Sequence, residues 1–276
     1  MVNHLRTGIT VLAFIILITA GITALSPPGQ ASAAAIEFTD SINAQLDATA
    51  DKAGKNGSKL RKQYTDFKSS RTQILSLDDR TSALHYDNES KASAVRKAIS
   101  NIDASKISKL EEQVKTTKSK YQPLYTSYTS FNKQVAAANK LKDKSLYKVL
   151  KAQAEGMKLV VDITKQDLKS KEAALKTAKS ERTKKQKQIR SVLSEIDTVK
   201  TKIKAEKSAI STPNKQLTTE WSNFKAAVKK NDADRATDTL ARLLTLSTQI
   251  NTKKQNIYNH ESKVSSIIQR ANSMLP

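Results

Sequence analysis

The chain has no cysteine, one tryptophan, five phenylalanines and three histidines among its 276 residues. Without thiols there is no disulfide, no zinc-thiolate site, no thiol nucleophile and no cysteine to carry a lipid behind an export signal. Stability must come from packing. Glycine and proline are almost as scarce, and beyond residue 36 only Gly54, Gly57, Gly156, Pro123, Pro213 and Pro276 remain. Sheets joined by tight turns use more of both, whereas abundant Lys, Ala, Leu, Gln and Glu suit long helices. The predicted fold class is therefore all-α, an elongated antiparallel helical bundle or coiled coil. Beyond residue 36 no apolar run approaches the ~20 residues of a membrane-spanning helix, which argues against a pore-forming toxin.

One apolar run does stand at the amino end. Met1–Arg6 gives a short basic start, and Thr7–Ile36 contains no charged residue, with its apolar heart at Ile9–Leu25. Pro27-Pro28-Gly29 breaks that segment, and Ala31-Ser32-Ala33 follows as a small-residue cleavage site. Basic, apolar and A-x-A regions in this order form the pattern of a secretory signal peptide. Residues 1–33 are thus expected to be an export signal cut between Ala33 and Ala34, with 34–276 as one elongated helical domain; an uncleaved N-terminal anchor is the alternative. On either reading the remainder works outside the cytoplasm, and the absence of cysteine together with a long signal suits a Gram-positive envelope.

Acidic residues are few as well. Residues 34–276 hold 47 basic and 26 acidic side chains, a balance of +21. Only ten arginines occur in the whole chain, against 38 lysines. Lysine is a mobile point charge rather than a planar fork, so diffuse attraction to phosphate-rich or carboxylate-rich polymers is expected over shaped recognition. A lysine-coated, merely solvated helix surface is the plain alternative.

Three heptad ladders define the helices. The clearest is Val161, Leu168, Leu175, Arg182, Ile189, Ile196, Ile203 and Ile210, with Thr164, Lys171, Ala178, Lys185, Val192, Val199 and Glu206 between. This spacing keeps one seam toward a partner helix. It predicts a helix from about Gly156 to Ile210, ended by Ser211-Thr212-Pro213, where Thr212 would cap the next helix and Pro213 would take its first position. A second ladder runs Ile107, Val114, Tyr121, Tyr128, Val135, with Leu110, Leu124, Phe131 and Ala138 between, and Pro123 should kink or restart it. The third is Leu243, Ile250, Ile257, Val264, Ala271, with Leu246, Ile267 and Met274. Lys229–Asp232 reads as a turn with Asn231 or Asp232 as cap, Gly54–Ser58 as another, and Leu77–Asn88 as a further break.

Motifs for chemistry are absent. His85 and His260 stand alone rather than in an H-E-x-x-H arrangement, and His260 reads as a packed or half-exposed bundle residue. Asp78-Asp79 and Glu111-Glu112 are adjacent pairs whose members diverge on a helix, so they read as caps and solvated charge. No catalytic residue, cofactor site or metal site is predicted, and the protein is expected not to be an enzyme. Tyr121, Leu124, Tyr125, Tyr128 and Phe131 share a helix face, which predicts core packing or else a shallow platform for sugar rings.

The strongest binding candidate is the basic block from Lys165 to Arg190, with ten cations against Asp167, Glu172 and Glu181. Three of the ten, Lys171, Arg182 and Lys185, occupy seam positions and need compensation. The others, Lys165, Lys169, Lys176, Lys179, Lys184, Lys187 and Arg190, are the candidate polyanion-binding residues. No aromatic side chains interleave with them, which argues against single-stranded nucleic acid.

Ala226-Ala227-Val228-Lys229-Lys230-Asn231-Asp232-Ala233-Asp234-Arg235-Ala236 resembles the helix-turn-helix corners in the wall-binding part of some bacterial surface-layer proteins. That resemblance implies attachment to secondary cell-wall polymers. The expected function is thus association with anionic envelope polymers, teichoic-acid-like or acidic glycans. The alternative is a coiled-coil spacer whose seams bind another protein or a second copy.

Overall fold

A computed structural model describes residues 36–276, so the expected cleavage point at Ala33 and Ala34 lies outside the described residues. All the regular structure described is helical. A short α1 (Asp40–Lys52) and a single 3-10 turn (Gly54–Asn56) lead into four long helices: α2 (Gly57–Asn101), α3 (Ala104–Lys140), α4 (Lys144–Lys229) and α5 (Ala233–Ser273).

The 86 residues of α4 form a spine about 130 Å long at ~1.5 Å per residue. Its N-terminal half packs against α3 alone, whereas its C-terminal half packs against α5, which in turn carries α2. The result is a three-helix base and a two-helix arm. Cross-links set the directions: Lys253 pairs with Glu206 and Arg242 with Glu220, so α5 runs antiparallel to α4. Asp78 pairs with Lys254 and His85 with Glu261, so α2 runs parallel to α5.

The seam of the first ladder follows this division. Ile189, Ile196, Val199, Ile203 and Ile210 are buried in the base, while Leu168 and Leu175 are only half-buried in the arm. A two-helix coiled coil leaves more of each seam residue open than a three-helix core does. The base ends in an aromatic box, in which Phe38, from the extended segment before α1, contacts Tyr64, Phe67 and Trp221. Trp221 in turn stacks on Phe224 at 5.3 Å.

Carboxylates cap the starts of α4 and α5. Asp143 accepts from the amides of Ser145 and Leu146 at the start of α4, and Asp232 from that of Arg235 at the start of α5. These short carboxylates satisfy amides that have no partner within the helix. Between α1 and α2 the backbones nearly touch: a Cβ on Gly57 would lie 2.1 Å from the Ala50 carbonyl oxygen, so only glycine fits. Thr49 ties this corner to the far end of α4 by donating to the Val228 carbonyl at 3.0 Å.

Two expected breaks are absent. Ser211-Thr212-Pro213 lies inside α4, with no cap at Thr212, and the helix continues through Pro213. Ile210 and Leu217 on either side are buried, and their packing against α5 outweighs the backbone bond that proline removes. The helix also begins well before Gly156. Leu77–Asn88 is likewise helical, inside a fourth long helix, α2. Its seam runs Leu60, Tyr64, Phe67, Arg71, Ile74, Asp78, Thr81, His85, Asn88, Ala92, Val95, Ile99, a regular heptad with a polar middle. Pro123 also lies inside an unbroken α3.

Candidate polyanion-binding face

Two of the three seam cations of α4, Arg182 and Lys185, sit where α2 ends and α3 begins. Ile102 and Asp103 form that junction, Asp103 with φ 53°. At the end of α2 the Ile99 carbonyl accepts a long bond of 3.4 Å from the Ile102 amide at the C-cap. Arg182 donates to Ser100 O at 2.9 Å, and Gln186 donates to Ile99 O at 2.8 Å. Lys185 lies 3.8 Å from the Asp103 carboxylate. About three turns further along the arm, Lys171 bonds Asp167 at 2.9 Å and the Thr117 hydroxyl at 3.0 Å. At Arg182 and Lys185 the polar interruption of the ladder is the imprint of a chain junction, and all three cations are occupied within the fold.

The seven candidate residues lie at the surface of α4 and are all exposed. Among them only Lys179 is ion-paired within the described residues, with Glu111 at 2.6 Å. Helical spacing separates them into two groups. Lys165, Lys169, Lys176, Lys179 and Arg190 each follow a seam residue by one position (Thr164, Leu168, Leu175, Ala178, Ile189), which puts them on one flank. Lys184 and Lys187 fall on the outer face.

The Lys179–Glu111 bridge shows which side of α3 shares that flank. Glu111 follows the seam residue Leu110 by one position, and Lys115 and Lys118 follow Val114 and Thr117 in the same way. Both are exposed. They join Lys165, Lys169 and Lys176 in a ridge built from two antiparallel helices. Sequence reasoning missed these two lysines because it treated α4 alone; their one-residue offset from the second ladder carried the signal.

Charge is concentrated accordingly. Residues 104–187, the arm and its turn, hold 21 basic and 8 acidic side chains, a balance of +13. The remaining described residues hold 26 and 18. The arm exposes both faces of a thin rod, so its field is screened by little protein and reaches solvent on all sides.

The tyrosines are placed in the seam. Tyr121, Leu124, Tyr125, Tyr128 and Phe131 are all half-buried between α3 and α4. Tyr121 donates to the Asp167 carboxylate at 2.9 Å. That bond and the Lys171 ammonium stabilise the charged carboxylate, with Lys171 the larger cause, and hold its pKa below the usual value. The same bond raises the Tyr121 pKa, since it stabilises the protonated phenol.

The paired carboxylates and histidines have separate structural surroundings. Asp78 pairs with Lys254, Glu111 with Lys179, and Glu112 accepts from Thr116. His85 Nδ1 lies 2.9 Å from buried Glu261, and His260 is half-buried. Among the described residues no group of three or more potential ligands is placed to hold a metal ion, and no helix is long and apolar enough to cross a membrane. Comparison with protein-family models, curated proteins and solved structures gives no match.

Proposed function

We propose that this is an exported, non-enzymatic protein that holds anionic cell-envelope polymers along the lysine ridge of its arm. The observation that carries this reading is the concentration of +13 on residues 104–187, with Lys115, Lys118, Lys165, Lys169 and Lys176 exposed and free of ion pairs among the described residues. Lys165 to Arg190 covers about 38 Å of helix, a length suited to a repeating polymer rather than a single small anion. Counterion release along such a row gives affinity without a pocket. The secretory pattern in the sequence of the amino end supports a setting where wall polymers are met, and the corner at Ala226–Ala236 agrees with an envelope setting.

A second reading is a coiled-coil spacer that binds another protein. Leu159, Val160 and Ile163, 68%, 49% and 67% exposed on the arm, favour it. Co-sedimentation of residues 34–276 with purified walls, intact and stripped of anionic polymer, separates the two. Retention should vanish on stripped walls. Retention that survives stripping overturns the polymer reading in favour of the protein contact.

A further inference from the structure

We infer that the tip of the arm is a docking surface for an anionic lipid bilayer, separate from the lysine ridge and independent of the polymer reading. The tip is the turn between α3 and α4 and the first turns of α4. It presents Leu141, 76% exposed and more open than any other large apolar side chain among the described residues, together with Leu146 at 44% and Val149 at 57%. Tyr147, Leu150 and Ala138 already fill the seam beneath them. The three apolar residues are thus surplus to the packing of the hairpin.

Five lysines surround them, Lys140, Lys142, Lys144, Lys148 and Lys151, against one acid, Asp143. That acid is committed to the cap of α4, where it accepts from Ser145 and Leu146. Basic and apolar side chains together at a protruding end match the chemistry of a bilayer surface with anionic headgroups. Apolar groups enter the boundary between headgroups and acyl chains, about 5–10 Å deep, while lysine stems reach back to phosphates. Val149 is about 8 Å along α4 from its start, within that depth. Each lysine near an anionic surface raises partitioning by about fivefold. A second copy is the wrong occupant, because two tips carrying the same excess of lysine repel one another.

The test uses residues 34–276, which hold every helix described, and vesicles of phosphatidylcholine with or without phosphatidylglycerol. Sedimentation should show binding only to vesicles containing phosphatidylglycerol. Leu141→Ser, Leu146→Ser and Val149→Ser combined should lower it by about tenfold or more, while Leu159→Ser, Val160→Ser and Ile163→Ser combined leave it unchanged. Circular dichroism checks that both variants fold. Leu141→Trp supplies a depth probe, since the native Trp221 is buried about 115 Å away along α4 and stays silent. The introduced indole should shift its emission to the blue with anionic vesicles. Wild-type binding by the tip variant, loss only in the shaft variant, or an unshifted indole in the presence of vesicles would each overturn the proposal.

Discussion

Asn88 directs its side-chain amide at a single residue, Glu261, donating to the backbone carbonyl at 2.9 Å and to the carboxylate at 3.0 Å. Both residues are buried, 1% and 4% exposed, at the middle of the α2–α5 seam. His85 meets the other carboxylate oxygen. A polar cluster at seam positions fits one alignment of the two helices and penalises the others, because a slipped register leaves a buried carboxylate unpartnered. Asn88→Ala should cost about 1–3 kcal/mol in urea unfolding, the penalty for leaving such an acceptor unsatisfied. An unchanged midpoint would mean that the cluster is solvated.

The C-terminal half of α4 is the core of the base. Ile196 is 2% exposed, and Ile196→Asp replaces apolar packing with an unpaired charge. Its cost should be several kcal/mol. The reading fails if the melting curve of the variant overlays the wild type.

Pro213 offers a test in the opposite direction. Because α4 runs unbroken through it, Pro213→Ala restores a backbone donor and a better helix former, and should stabilise the protein by about 1–3 kcal/mol. A loss of stability would show that residues 211–213 begin a new helix.

The arm has its own pH signature. Asp167 has a lowered pKa, caused first by Lys171 and then by Tyr121, so its contribution is complete above the ordinary aspartate range and fades as pH falls through the lowered value. Carboxyl chemical shifts should place its midpoint below that of an ordinary aspartate. Tyr121→Phe should move that midpoint upward by removing one donor; a midpoint indifferent to this change would exclude the Tyr121–Asp167 bond.

Sequence periodicity exposes helices wherever the seam is apolar. The ladders through Val161–Ile210, Ile107–Val135 and Leu243–Ala271 all mark packed faces, and Lys229–Asp232 is the turn it resembles, with Asp232 the cap. The seam of α2 escapes the same reading because Arg71, Asp78, His85 and Asn88 occupy heptad positions. The partners of Asp78, His85 and Asn88 are Lys254 and Glu261, which lie some 170 residues away on α5, so polarity that is satisfied in space reads as a break in sequence. Arg182 and Lys185 are the converse case. Their cationic character is visible, but its cause is the junction at Ile102–Asp103, which no local pattern reveals. The ridge was half legible for the same reason: the α4 lysines stand in one run, while Lys115 and Lys118 join them only through the antiparallel pairing of two helices.

The most direct measurement compares two charge-matched variants on intact walls across a salt series. Lys115, Lys118, Lys165, Lys169 and Lys176 are changed together to Gln in the first, and Lys207, Lys215, Lys225, Lys229 and Lys230, exposed on the base, in the second. Glutamine keeps good helix propensity, so both should fold. Five charges are lost from each, so a nonspecific effect of net charge acts on both alike. Retention by the ridge variant should fall steeply and lose much of its salt dependence, while the base variant stays close to wild type. Equal losses in the two variants, or retention indifferent to both and to salt, would contradict polymer binding by the arm.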